Sequence, residues 1–148
     1  MPLDLEVIIR KISLINKDLK QLSFLSELSL AKYLKDEVNE VLAERYLERI
    51  IGRMVDINYH ILSAEHDESP ADYFQSFLLM GRYKYLPVDF AEKVAKSAGL
   101  RNRLAHEYDA IDPKKVYKAL TISLHDVPQY LSYIIKLIDK QGKRKRLH

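Results

Sequence analysis

Arg101, Asn102, His106 and Tyr108 fall within about two turns of chain if the segment is helical. Their chemistry is complementary. A guanidinium offers a fixed fork of N–H donors that matches phosphate oxygens. An imidazole both takes and gives a proton near neutral pH. A phenol donates to an oxygen, or accepts a transferred group on its own oxygen. Together these are parts for metal-free chemistry on a phosphodiester. At about 100° per residue, the four polar groups share one broad arc, with the small Ala105 at its middle leaving a shallow notch. Leu100 and Leu104 fall off that arc and can face a core. Ser97 and Gly99 precede the segment, and Asp109, Asp112 and Pro113 close it. A plainer reading is open at this point: Arg101 pairs with Glu107 or Asp109, and His106 caps a helix end.

Other residues carry weaker signals. Asp56 and His60 stand four apart, with Asn58 between them. They can be a polar pair that fixes helix packing, or they can support the 101–108 segment from across the bundle. Two ligands on one helix are too few for a metal, and no zinc-type spacing occurs, so no metal or other cofactor is expected. Arg82-Tyr83-Lys84-Tyr85 interleaves cations and rings in an expected loop. Such rings stack on unpaired bases in some proteins and fold back on their own bundle in others. His66, His125 and His148 stand isolated in the sequence, and nothing resembles a glycine-rich phosphate loop.

These residues need elements to position them. Leu5, Ile8, Ile9, Ile12, Ile15, Leu19, Leu22 and Leu25 recur at three- and four-residue steps, which predicts an amphipathic helix. Val38 to about Ala64 predicts a second, with Arg45, Arg49 and Arg53 on a different side from its apolar positions. Ser69 and Pro70 read as cap and first residue of a third helix ending near Gly81. Pro87 starts a short helix to about Ala98, and the 101–108 segment follows. Asp112-Pro113 opens a long last helix, in which Pro128 should bend or break the run. With no alternating strand pattern, the expected fold is all-α, a bundle of three long helices and two or three short ones.

Composition fits that reading. The 148 residues include only four Gly and five Pro, with 47% hydrophobic residues, enough for one domain with a real core. There is no Cys, hence no disulfide or thiolate metal site, which suits a reducing cytoplasm. The N-terminus is acidic early and has no uninterrupted apolar stretch, which argues against a signal peptide, and no apolar run suffices to span a bilayer. The net charge of +3 is unevenly placed. Lys140, Lys143, Arg144, Lys145 and Arg146 supply five cations with no acid among residues 140–148, so the body without them is net negative. We therefore divide the chain into a single helical domain, 1–140, and a basic C-terminal tail, 141–148, expected to be flexible. The tail reads as a salt-sensitive grip on phosphates, or as a solvated helix end whose cations suit the helix dipole. The negative body argues against a large nucleic-acid footprint.

The order Arg101-Asn102, three residues, His106, one residue, Tyr108 resembles the motif of the HEPN superfamily, in the Tyr-bearing form of the HepT toxins. The likeness extends over roughly residues 1–140. It includes Glu44–Ala64, then Ser69-Pro70-Ala71-Asp72-Tyr73, Leu86-Pro87, Ala110-Ile111-Asp112-Pro113 and Val116-Tyr117. The resemblance implies an antiparallel HEPN-type bundle and a cytoplasmic prokaryotic ribonuclease toxin of a type VII toxin–antitoxin system. Its implied partner is a minimal nucleotidyltransferase antitoxin, which attaches AMP to the motif tyrosine, here Tyr108. Catalysis would fall to Arg101, Asn102, His106 and Tyr108. RNA cleavage by the 2′-hydroxyl needs a base, an acid and charge stabilisation, while one motif holds one histidine. A two-fold homodimer that brings two motifs together supplies both. The alternative is a non-catalytic subunit that docks a nucleotidyltransferase and presents substrate to it.

Overall fold

Asp4 starts the first helix, its carboxylate accepting from the backbone N–H of Glu6 and Val7 at 3.1 and 3.3 Å. The computed structural model describes residues 2–96 and 112–147, the last four by backbone alone. Helix α1 (Leu5–Ser26) buries Ile8, Ile12, Ile15, Leu19, Leu22 and Leu25 on one stripe, as the periodicity predicts, whereas Ile9 falls off that stripe and is 50% exposed. That stripe lies mainly along α3 (Glu37–His66), a helix of about 45 Å that runs through the centre of the bundle. Between them in sequence comes α2 (Leu30–Lys35), a short helix that none of the expected elements covers. Ser29 caps it through Lys32 N–H at 3.2 Å, and Tyr33 turns inward against Tyr117 with ring centroids 5.0 Å apart. Six residues are too few to display a 3.6-residue period, so α2 leaves no pattern in the sequence.

The third predicted helix begins later than expected. Asp72, and not Ser69, is the cap of α4 (Tyr73–Arg82), accepting from Gln75 N–H at 2.7 Å. A carboxylate is the stronger acceptor for the free N–H groups of a first turn. Asp67, at φ 52, has already ended α3 in the left-handed region, and residues 67–72 form the connection. Residues 88–96 are helical, α5, following Pro87 as predicted. Gly81 lets α4 and α5 approach: a Cβ there would stand 2.8 Å from the Ala91 Cβ. Asp112 caps α6 (Pro113–Leu147), its carboxylate accepting from Lys114 N–H at 3.0 Å.

Pro128 does not break α6, which continues helical from Pro113 to Leu147. The neighbouring Val127, Tyr130 and Leu131 are buried, so packing holds the segment through the missing donor. Helix α5 runs antiparallel along α6: Phe90 meets Tyr133 at 5.5 Å between centroids, and Lys93 meets Asp126 at 3.0 Å. The described residues thus form an all-α bundle with three long helices, α1, α3 and α6, and shorter α2, α4 and α5. No strand occurs among them, and no helix among them is long and apolar enough to cross a membrane.

Two polar clusters fix how the long helices sit. Asp18, 2% exposed, accepts from Arg53 at 2.6 Å and pairs with Arg49 at 3.2 Å, so both arginines are spent joining α3 to α1. Deeper, the Tyr130 hydroxyl donates to Asn58 Oδ1 at 2.6 Å and approaches the Met54 carbonyl at 3.1 Å. The Asn58 amide donates to Ser76 Oγ at 3.2 Å, and Ser76 donates to the Tyr73 carbonyl. This chain of bonds ties α3, α4 and α6 together and satisfies polar groups that would otherwise be buried unpaired.

Candidate functional site

Arg101, Asn102, His106 and Tyr108 lie outside the described residues, between the last described turn of α5 and Asp112 at the start of α6. What the structure gives is the frame on either side. At the start of α6, the Tyr117 hydroxyl donates to the Leu28 carbonyl at 2.8 Å, anchoring this end of the helix to the α1–α2 connection. Glu40 and Glu44 flank the same end on α3. Burial raises both carboxyls above their ordinary value, with Glu37 and Asp112 adding like charge at Glu40, and Glu40 at Glu44. Burial, reinforced by Glu40 and Glu44, also pushes the Tyr33 phenol well above its usual range, so it stays protonated. Glu37, Glu40, Glu44 and Asp112 thus share the end of the bundle where the chain enters α6, beside Lys114 and Lys115 of its first turn.

Asp56 and His60 do not bond each other. Asp56 is exposed and pairs with Lys11 at 2.9 Å, while His60 Nε2 accepts from the backbone N–H of Asp4 at 2.9 Å. Both contacts dock the start of α1 on α3. The His60 contact requires a lone pair on Nε2, which places the ring proton on Nδ1 when the ring is neutral. Their expected relation to Arg101 and His106 falls outside the described residues. Among the described residues no group of three or more His, Cys, Asp or Glu is placed to hold a metal.

The Arg82–Tyr85 segment folds back on the bundle. Tyr83 stacks on His66 with centroids 3.7 Å apart and planes 13° apart, and its hydroxyl donates to Glu68 at 2.7 Å. Tyr85 meets the same imidazole edge-on and shares a 2.8 Å hydrogen bond with its Nε2. His66 looked isolated in the sequence, yet it organises this corner. A spacing of 17 to 19 residues across a helix end gives no periodic signal that could have revealed it. His125, also isolated in the sequence, sits 3.0 Å from Asp126, which also holds Lys93.

The class of protein defined by this bundle is plain from comparison. The family described as Ribonuclease HepT-like matches residues 15–134, and the chain belongs to it. A tRNA nuclease HepT of Aphanizomenon flos-aquae is 37% identical over 135 residues, 88% of this chain and 92% of that protein. Among solved structures, the tri-AMPylated HEPN toxin of Shewanella oneidensis, in complex with an MNT antitoxin, matches with a TM-score of 0.81 at 22% identity. The match covers 88% of this chain and 97% of that one. YutE of Bacillus subtilis, a cytosolic protein of unknown function, matches with a TM-score of 0.81 at 13% identity over 95% of both chains. These two structures share the fold: the helical bundle expected from the HEPN resemblance is the one found.

Proposed function

We propose that this chain is the toxin of a HEPN/nucleotidyltransferase toxin–antitoxin pair, a metal-independent endoribonuclease working as a homodimer. One observation carries the reading: within a chain of the HepT-like family, Arg101, Asn102, His106 and Tyr108 are all present at the motif spacing. The name of the 37% identical relative makes tRNA the first substrate to try.

The chemistry follows from those side chains. His106 of one chain removes the proton of a ribose 2′-hydroxyl, and the 2′-oxygen attacks the adjacent phosphorus. The P–O5′ bond breaks as His106 of the other chain protonates the departing 5′-oxygen. The products are a 2′,3′-cyclic phosphate and a free 5′-hydroxyl. Arg101 clamps the non-bridging oxygens, Asn102 orients His106 or the phosphate, and Tyr108 donates to a phosphate oxygen. Each proton transfer is worth roughly 10²–10⁴ in rate, and charge stabilisation by Arg101 a similar factor.

Tyr108 also gives the antitoxin its target. AMP attached to that phenol adds bulk and negative charge where the substrate phosphate must sit. The test is cleavage of a tRNA transcript by purified protein. We expect cleavage to persist in EDTA and to leave a cyclic phosphate, and His106→Ala to lose at least about a hundredfold in rate. Co-expression with a minimal nucleotidyltransferase should add the mass of AMP to Tyr108 and abolish cleavage. Cleavage lost in EDTA, or retained in His106→Ala, refutes the mechanism.

A further inference from the structure

A groove of about 640 Å³ opens between the turn after α4 and the C-terminal part of α6. Tyr83, Lys84 and Tyr85 line one side, and Tyr133, Lys136 and Lys140 the other. Lys143 extends the α6 side, and Asp139 is the single acid of the lining, so the groove is cationic. Its four lysines are exposed and form no ion pair among the described residues. Lys136 lies over the Tyr133 ring at 5.4 Å. In sequence, Arg144, Lys145 and Arg146 continue the run directly beyond Lys143. Two signals far apart in the sequence, the 83–85 part of the cation–ring segment and Lys140 and Lys143 of the basic end, meet in this one groove.

The rings here are held in advance. His66 and Glu68 pin Tyr83, and His66 pins Tyr85, while both tyrosines and Tyr133 stay half-buried with ring surface open to the groove. Pre-set side chains lose little freedom when a ligand arrives. Lys84 adds an independent observation. It sits at φ 66, with its N–H on the Gly81 carbonyl and Tyr85 N–H on the Met80 carbonyl, both at 3.0 Å. That is the Schellman closure of a helix, at the position where glycine is the residue of least strain. A strained lysine at this position keeps a cation on the groove wall, where the backbone alone would favour glycine.

We propose that this groove grips single-stranded RNA away from the cleaved bond, with lysines on phosphates and tyrosine rings against unpaired bases. The proposal rests on the reading that the substrate is RNA. Tyr133 lies about 30 Å along α6 from Pro113, beside Asp112, where the described residues resume after 97–111. An acidic protein segment would satisfy the lysines and give the rings no partner. Unpaired RNA uses both.

The test measures fluorescence anisotropy of a fluorescein-labelled single-stranded RNA oligonucleotide, with full-length protein carrying His106→Ala so that the probe survives. Adding Lys84→Gln, Lys136→Gln and Lys140→Gln together should weaken binding about tenfold or more. It should also flatten the log affinity–log salt slope by about two. The equal charge change at exposed Lys17, Lys20 and Lys32 should leave both values at the parent level. Lys84→Gly alone should weaken binding while its thermal midpoint is no lower than the parent's, which separates the role of the cation from any damage to the turn. RNA affinity unchanged in the triple variant and in Lys84→Gly overturns the proposal, whether or not capture of an antitoxin is lost. If normal protein cleaves no RNA but the groove variants still lose binding, the groove stands and the nuclease reading falls. If it cleaves RNA and the groove variants bind as the parent does, the groove falls alone.

Discussion

Asp18 holds two guanidiniums while almost wholly removed from water, and Asp56 holds one ammonium at the surface. The same pairing chemistry has different worth in the two places. Asp18→Asn leaves Arg53 and Arg49 facing a neutral amide in a largely dry site. The expected cost is about 2–3 kcal/mol, below the value for a fully buried pair because the Arg49 side chain is 36% exposed. Asp56→Asn should cost under about 1 kcal/mol, because solvent screens its pair with Lys11. Urea unfolding of the two variants decides the matter, and equal losses would mean that Asp18 does not clamp α1 to α3. Neither weight could be read in the sequence, where Asp18 is one of two acids on an amphipathic helix and Arg49 and Arg53 are members of a regular cationic row. The spacing rightly put those arginines off the apolar stripe. What faced them was a matter of α1 lying alongside.

At the scale of elements, the long helices were legible because each repeats an apolar stripe many times, so errors at single positions average out. Helices α1 and α3 and the Asp112-Pro113 start of α6 are found where periodicity and caps place them. Local choices were less legible. Whether Ser69 or Asp72 caps α4 depends on where α3 releases the chain, and Pro128 is tolerated because its neighbours are buried. Gly81 shows how far an element pair depends on one atom. Alanine there gains about 1 kcal/mol of helix propensity, but its methyl would meet a Cβ fixed to the α5 backbone at 2.8 Å. Overpacking of this kind costs about 1–3 kcal/mol, so Gly81→Ala should be a net loss. Adding Ala91→Gly should return a large part of it, measured as a coupling energy in a double-mutant cycle of urea midpoints. Purely additive losses would show that the two helices have room to part.

Across the whole molecule, charge is arranged along the bundle. Glu37, Glu40, Glu44 and Asp112 mix with Lys114 and Lys115 where the chain enters α6, while four lysines face one acid in the groove toward its other end. The net charge of +3 hides this. The single histidine of the motif makes the homodimer the unit of the proposed chemistry. A mixed dimer with one Arg101→Ala chain and one normal chain should therefore lose most of the cleavage rate of the parent dimer on a tRNA transcript. Full activity in the mixed dimer would mean that each chain carries a complete site. Family membership rests on residues 15–134, and the 101–108 motif lies within that span.

The sequence by itself determined the all-α class, the three long helices and the residues proposed for catalysis, because those depend on side-chain type and short spacings along one chain. It could also offer the motif resemblance, which needs only order. The tertiary structure alone decided that His66 binds Tyr83 and Tyr85, that Asp18 unites two arginines, and that the 83–85 segment faces the lysines of α6. These contacts join residues tens of positions apart or across a helix end. No local pattern encodes which buried stripes meet, and only packing brings such partners within bonding distance.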